Sequence, residues 1–190
     1  MPESPTLYTP RLILRLGDYQ DAAAIAHYYQ TNREFLQPFE PTRSEEFFTP
    51  SFWQVQVQQN QLEFENEFSL RFFLFEQTQP DTVVGTLNLN QIFRGVFHAA
   101  VLSYSLGEIY QGQGLMFEAA TRAIAYTFNE LNLHRLMANY MPRNRRSGNL
   151  LKRLGFTVEG YARNYLRINQ HWEDHILTSL TNAHWQASDD

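Results

Sequence analysis

Ser103-Tyr104-Ser105-Leu106, Gly107-Glu108-Ile109-Tyr110 and Gln111-Gly112-Gln113-Gly114-Leu115-Met116 join a β-like run to a strongly helical one across a glycine-containing turn. Such a junction leaves backbone N–H groups unpaired at a helix start and adds the positive end of the helix dipole, which suits a phosphate. Glycine at 112 and 114 lets the phosphate approach the backbone, because a Cβ would fill space that an oxygen needs. A dinucleotide fingerprint is excluded, since its third glycine would stand where the chain has Phe117. A nucleoside-triphosphate loop is excluded as well, because Gly-Lys-Ser/Thr occurs nowhere in the chain.

Other constellations fail. His171 and His175 bracket Trp172-Glu173-Asp174, but in a strand four residues span roughly 13 Å, too far for one ion. No metal is therefore expected. There is no Gly-x-Ser-x-Gly elbow, and with 0 cysteines the chain has no thiol nucleophile, thiolate zinc site or disulfide framework. The net charge of -5 argues against a surface that grips nucleic acid throughout. Charge is unevenly spread, however. Arg135, Arg143, Arg145, Arg146, Lys152 and Arg153 lie in a stretch without Asp or Glu, whereas Glu45, Glu46, Glu63, Glu65 and Glu67 lie in one without Lys or Arg. The first block invites an anion and the second a cationic partner, but the ordinary reading of such charge runs is a solvated helix face.

A second block follows the glycine junction: Asn144, Ser147, Leu150, Leu151, Leu154, Gly155 and Phe156. With Gly112 and Gly114 in order before it, this resembles the GNAT N-acetyltransferases, whose acetyl-CoA loop reads Gln/Arg-x-x-Gly-x-Gly/Ala and whose later block reads Asn-x-x-Ser-x-x-Leu-Leu-x-x-Leu-Gly-Phe. Ile109 departs from the first position of that loop. Thr9-Pro10-Arg11-Leu12, His134-Arg135 and Trp172-Glu173-Asp174-His175 are similar to the ribosomal-protein-alanine branch, so the likeness runs from about Leu7 to Leu180. It implies an α/β (α+β) fold with a mixed, mostly antiparallel seven-stranded sheet, helices on both faces and two splayed central strands, at 99–106 and 135–141.

The resemblance further implies transfer of acetyl from acetyl-CoA to a protein N-terminal amine, with a ribosomal protein as partner. Ser105, Leu106, Gln111, Gly112, Gln113, Gly114, Leu115, Met116, Asn144 and Arg146 would contact the donor, with Arg143 and Arg145 also available to its phosphates. Many relatives carry a tyrosine acid where this chain has Leu151. Ser147 stands in as the group that meets the leaving sulfur, with a helix N-cap as its other reading; Asn144 has that same alternative. Glu159 is the candidate proton acceptor, otherwise an exposed strand carboxylate, and Asn139 would orient substrate or water. A small-molecule amine or lysine acceptor stays open, as does a ribosome- or RNA-associated binding module.

These residues need a frame. A chain of 190 residues with 43% hydrophobic content supports one domain and excludes wholesale disorder. The core is expected over 7–180 with a tail over 181–190, monomeric or homodimeric. The opening Met1-Pro2-Glu3-Ser4-Pro5 lacks a basic region followed by an apolar run, so a cytoplasmic protein outside the membrane is expected. Leu12 to Leu14 reads as a strand, and Asp18 as the cap of a helix through Ala22 to Tyr29. Residues 32–41 read as a loop and Ser51 as the cap of a helix after Pro50. Phe72 to Phe75 and Val83 to Leu89 form a hairpin across Gln79-Pro80-Asp81. Met116, Ala119, Ala120, Ala123, Ile124, Thr127 and Leu131 recur at helical spacing. A strand over 135–141, a helix over 147–154 and a hairpin across Asn169-Gln170 complete the order.

Overall fold

The computed structural model describes residues 4–187. Its strands are β1 (Thr6–Tyr8), β2 (Leu12–Arg15), β3 (Leu70–Glu76), β4 (Gln79–Phe93), β5 (Ala99–Leu106), β6 (Arg135–Tyr140), β7 (Thr157–Ile168) and β8 (His171–Thr181). Its helices are α1 (Ala22–Thr31), α2 (Arg33–Leu36), α3 (Pro50–Glu65), α4 (Leu115–Asn129) and α5 (Arg145–Arg153). The strands make one sheet in the order β1-β2-β3-β4-β5-β6-β8-β7. Every neighbouring pair is antiparallel except β5 and β6. The sheet thus has eight strands rather than the expected seven; Thr6–Tyr8 adds an edge strand too short to carry a period of its own.

Alternation on β3 assigns the two faces. Leu70, Phe72 and Leu74 join α4 residues Met116, Ala119, Ala120 and Ala123 in one core. Phe73 and Phe75 join Ile25 of α1 and Trp53 and Val57 of α3 in the other. Sealing both faces removes the largest side chains from water and fixes the sheet as a rigid platform.

Four local readings are corrected. Residues 32–41 are not a loop but α2 followed by a 3-10 turn, Gln37–Phe39, and this arch matters below. Thr49, not Ser51, caps α3: its hydroxyl accepts the Phe52 N–H and Pro50 takes the first helical position. Asp18 accepts the Gln20 and Asp21 amides in the turn before α1, so it does not cap the helix. The β3–β4 turn falls at Gln77-Thr78, two residues early, and the ladder beside it is bulged about Phe75. The β7–β8 turn lies across Asn169 and Gln170 as expected, at φ 42 and 69. Within the segment read as a tail, Trp185 packs edge-on to His98 and His134 and its indole donates to the Asn132 carbonyl; positions 188–190 lie outside the described residues.

Candidate active site

The one parallel pair in the sheet is also its point of failure. β5 and β6 are in register only from Ala99↔Arg135 to Val101↔Met137. Beyond it, Leu102 to Leu106 and Ala138 to Tyr140 part, and a cavity of about 590 Å³ opens between them. Ser105, Leu106, Gln111, Gly112, Gly114, Met116, Asn139, Asn144, Arg146 and Ser147 all line it. Residues named from three sequence segments are therefore brought to one place.

At one end, the turn from β5 into α4 presents its backbone. Gly112 and Gly114 have φ of 75 and 78, the left-handed region, and a Cβ on Gly112 would meet nothing within 4 Å, so space is open at the turn. Among the described residues, no group accepts from the amides of residues 112–117; the ladder resumes with the Glu118 N–H on Gly114. An N-terminus so exposed fits a diphosphate. The Gln111 amide is not part of the set, because it bonds to the Glu108 carbonyl. The Gln111 side chain donates instead to the Leu106 carbonyl, 2.8 Å away. Gln113 and Leu115 offer only their amides, because the Gln113 side chain folds back on the Ile109 carbonyl and Leu115 is buried in the core.

The turn is pinned from outside. Arg11, at the β1–β2 bend, donates to the Gln113 carbonyl at 3.0 Å and to the Glu118 carboxylate at 2.9 Å, which also accepts from Thr9. Hydrogen bonds from Thr9 and Arg11 outweigh the cost of burial and hold the Glu118 carboxyl below its usual range.

The second block builds the middle of the cavity. Asn144 caps α5, its side-chain oxygen accepting the Ser147 N–H at 3.1 Å. This frees the Ser147 hydroxyl, which lies 2.7 Å from the Tyr104 hydroxyl. Tyr104, from β5, lines the cavity, and burial pushes its hydroxyl up to about 12, so it stays protonated. Gly148 has a packing role: a Cβ there would come within 2.7 Å of the Tyr140 ring. Arg146 lines the cavity, joined by Arg153, whose guanidinium stacks over Phe117 at 4.3 Å.

Two expectations fail here. Glu159 is outside the lining: on the edge strand β7, it pairs with Arg135, and accepts from the Ser179 hydroxyl at 2.8 Å. Those hydrogen bonds, from Ser179 and Arg135, lower its carboxyl from the ordinary value, which makes it a poorer base as well as a misplaced one. The reason is a bulge between Val158 and Gly160 that sends its side chain to the Arg135 end of β6, away from the splay. Arg143 does not serve a phosphate but bonds to Glu173 at 2.7 Å and to the Pro38 carbonyl at 3.0 Å. Arg145 does not line the cavity either.

The other end is closed by groups that sequence reading missed. The 33–40 arch brings Phe35, Leu36, Phe39 and Glu40 to the cavity, while Leu166, Ile168 and His175 come from β7 and β8. Arg143 and Asn169 staple the arch, Asn169 donating its N–H to the Glu40 carbonyl at 3.0 Å. Asn139 faces this end and lies 3.5 Å from the Tyr165 hydroxyl. The acidic 45–67 stretch contributes nothing to the lining: Glu45 pairs with Arg33 and Glu67 with Arg94. Among the described residues no three His, Asp or Glu side chains gather as metal ligands, and no helix is long and apolar enough to cross a membrane.

Residues 11–157 match the acetyltransferase (GNAT) domain family. The chain is 48% identical over 180 residues to the ribosomal protein uS5-alanine N-acetyltransferase of Escherichia coli, covering 94% of this chain and 92% of that protein. The fold superimposes on the ribosomal-protein-S5-alanine acetyltransferase of Vibrio fischeri with a TM-score of 0.92 at 39% identity, over 96% of this chain and 100% of that one. It also superimposes on Mycobacterium smegmatis RimJ, solved with CoA-disulfide, with a TM-score of 0.85 at 25% identity, over 97% and 90% of the two chains. With a splayed sheet and a glycine turn of bare amides in place, the chain belongs to the GNAT family and is an acetyl-CoA-dependent N-acetyltransferase.

Proposed function

We propose that the protein acetylates the N-terminal α-amine of a ribosomal protein by direct attack of the neutral amine on the thioester. The observation that carries this is a single cavity with unpartnered amides at one end and an arch of side chains at the other. Kinship with the uS5-alanine enzyme favours a protein α-amine. Chemistry agrees: an α-amine near pKa 7.7–8.0 is on the order of one-tenth neutral at pH 7, against less than about one-thousandth for a lysine near 10.4.

In this reading the amides of 112–116 take the diphosphate, with Arg146 and Asn144 beside it. The Gly107 N–H is bonded to Val84 on β4, so strand alternation turns the Leu106 N–H toward the splay, where it can steady negative charge on the thioester oxygen. The Ser147 hydroxyl, held by Tyr104, meets the departing sulfur. Asn139 orients the acceptor. Acetyl-CoA supplies an activated acyl group on a good leaving thiol.

A panel of peptides beginning with Ala, Ser or Met, offered with acetyl-CoA, tests this through thiol release and the position of the added mass. Free N-termini are expected to react, and blocked peptides bearing an internal lysine to be inert. Equal reaction of blocked peptides, or of polyamines, overturns the α-amine assignment.

A further inference from the structure

We propose that Glu40 accepts the proton of the incoming α-ammonium, an inference that rests on the acetyl-transfer reading above. Among the described residues it is the only carboxylate lining the cavity. Its neighbours in type are committed elsewhere: Glu173 to Arg143, Asp174 to the Tyr161 hydroxyl and the Asn164 N–H, Glu159 to Arg135 and Ser179. Glu40 has only Arg43, at 3.8 Å, too long for a hydrogen bond. Its side chain is 21% exposed, and among the described residues no donor hydrogen-bonds to its carboxylate, which leaves it open to an incoming cation.

Its place is set by backbone. The Glu40 carbonyl is held by Asn169 on the β7–β8 turn, and Arg143 holds the Pro38 carbonyl two residues before it. Tyr29 lines a small neighbouring pocket with Glu40 and Arg43, and the Tyr28 hydroxyl lies 2.9 Å from the Ser105 hydroxyl on the splayed strand. The arch thus brings Glu40 to the same cavity that Ser105 and Ser147 line. Desolvation raises its carboxyl above the usual range, nearer to that of an α-ammonium, which improves the match for proton transfer. The charged or titratable groups around it are Arg43 and Arg33 on the arch side, Tyr28 and Tyr29 on α1, and His175 across the cavity on β8.

The balance is simple. Glu40 takes one proton from R–NH₃⁺, leaving R–NH₂ and a neutral carboxyl that later releases this proton to solvent. The nitrogen lone pair forms the C–N bond to the thioester carbon as the C–S bond breaks. The surplus proton on nitrogen passes to the departing sulfur by way of the Ser147 hydroxyl, giving amide and thiol.

His175 is the rival acceptor, since it is buried and lines the same end, with Nδ1 3.0 Å from the Glu173 carbonyl. The two are separated by the pH dependence of kcat/KM for an Ala-initiated peptide, measured on wild type, Glu40→Gln, Glu40→Asp and His175→Asn. Glu40→Gln is expected to lose up to about tenfold at pH 7, the ceiling set by the neutral fraction of the substrate amine. The loss should shrink toward pH 9, where the substrate amine is already neutral, while the Kd of acetyl-CoA by calorimetry stays unchanged. Glu40→Asp should recover part of the rate. Because a raised carboxyl means that ionised Glu40 destabilises the fold above its own pKa, Glu40→Gln should also unfold at a higher temperature at pH 7. A loss equal at every pH, a lowered unfolding temperature with no change in profile, or an acidic limb that vanishes in His175→Asn alone would overturn the assignment. Failure of wild type to acetylate any free N-terminus would instead sink the underlying reading of the site.

Discussion

One end of the cavity, the proposed donor end, presents unpartnered backbone amides of residues 112–117, whereas the other, the proposed acceptor end, is lined by side chains from the 33–40 arch, β6, β7 and β8. The first needs a turn that few sequences can make, with glycine at φ above 70 in two places. The second needs only that separate pieces of chain meet, and its staples, Arg143 and Asn169, come from yet other segments. Under the proposed reading the contrast predicts that donor binding is sensitive to any added atom or charge at the glycine turn, while acceptor choice can be altered by exchange of side chains without disturbing donor binding.

The most damaging test of that contrast is Gly112→Asp. Asp tolerates a positive φ better than most residues, so the fold should survive. The carboxylate would face a diphosphate, and like-charge apposition costs several kcal/mol, so calorimetry should detect no acetyl-CoA binding. Normal affinity would remove the glycine turn from the donor site. A smaller effect is expected of Ser147→Ala, in which kcat falls on the order of 100-fold with donor Kd preserved; Tyr104→Phe should show a weaker version of the same loss. If steady-state kinetics show kcat unchanged in Ser147→Ala, the hydroxyl has no part in thiol departure, since Asn144 already performs the capping. Smallest of all should be Glu159→Gln, within about twofold of wild type in kcat/KM, as befits an exposed ion pair outside the cavity. A tenfold loss there would move the proton acceptor to β7 and break the division between the two ends.

Much of the donor end was legible in the order of residues. Gly112, Gly114 and Asn144 take their conformations from turn chemistry and helix capping, which are set within a few positions. Even so, the alternative readings of Ser147 and Asn144 could be separated only in three dimensions, where Asn144 takes the cap and leaves the Ser147 hydroxyl to Tyr104. Glu159 went the other way. Its type suited a base, but a bulge in β7 and the reach of Arg135 and Ser179 decided where it points. The 33–40 arch reads as loop in the sequence because Pro38 and Pro41 mask two short helical turns, which hides the contribution of Phe35, Phe39 and Glu40 to the lining.

The amino-acid order alone fixed the long amphipathic α4, the glycine turn that feeds it, the β7–β8 turn and the family resemblance, because periodicity, φ preference and helix-end hydrogen bonding act over short stretches of chain. Tertiary structure alone decided that β5 and β6 part after Val101↔Met137, that Arg143 serves the arch rather than a phosphate, and that Glu40 and His175 share the acceptor end. Those outcomes depend on segments distant in sequence, from 36 residues for Ala99↔Arg135 to 105 for the Arg143–Pro38 pair, and no local preference encodes a meeting whose stability comes from burying two faces of one sheet.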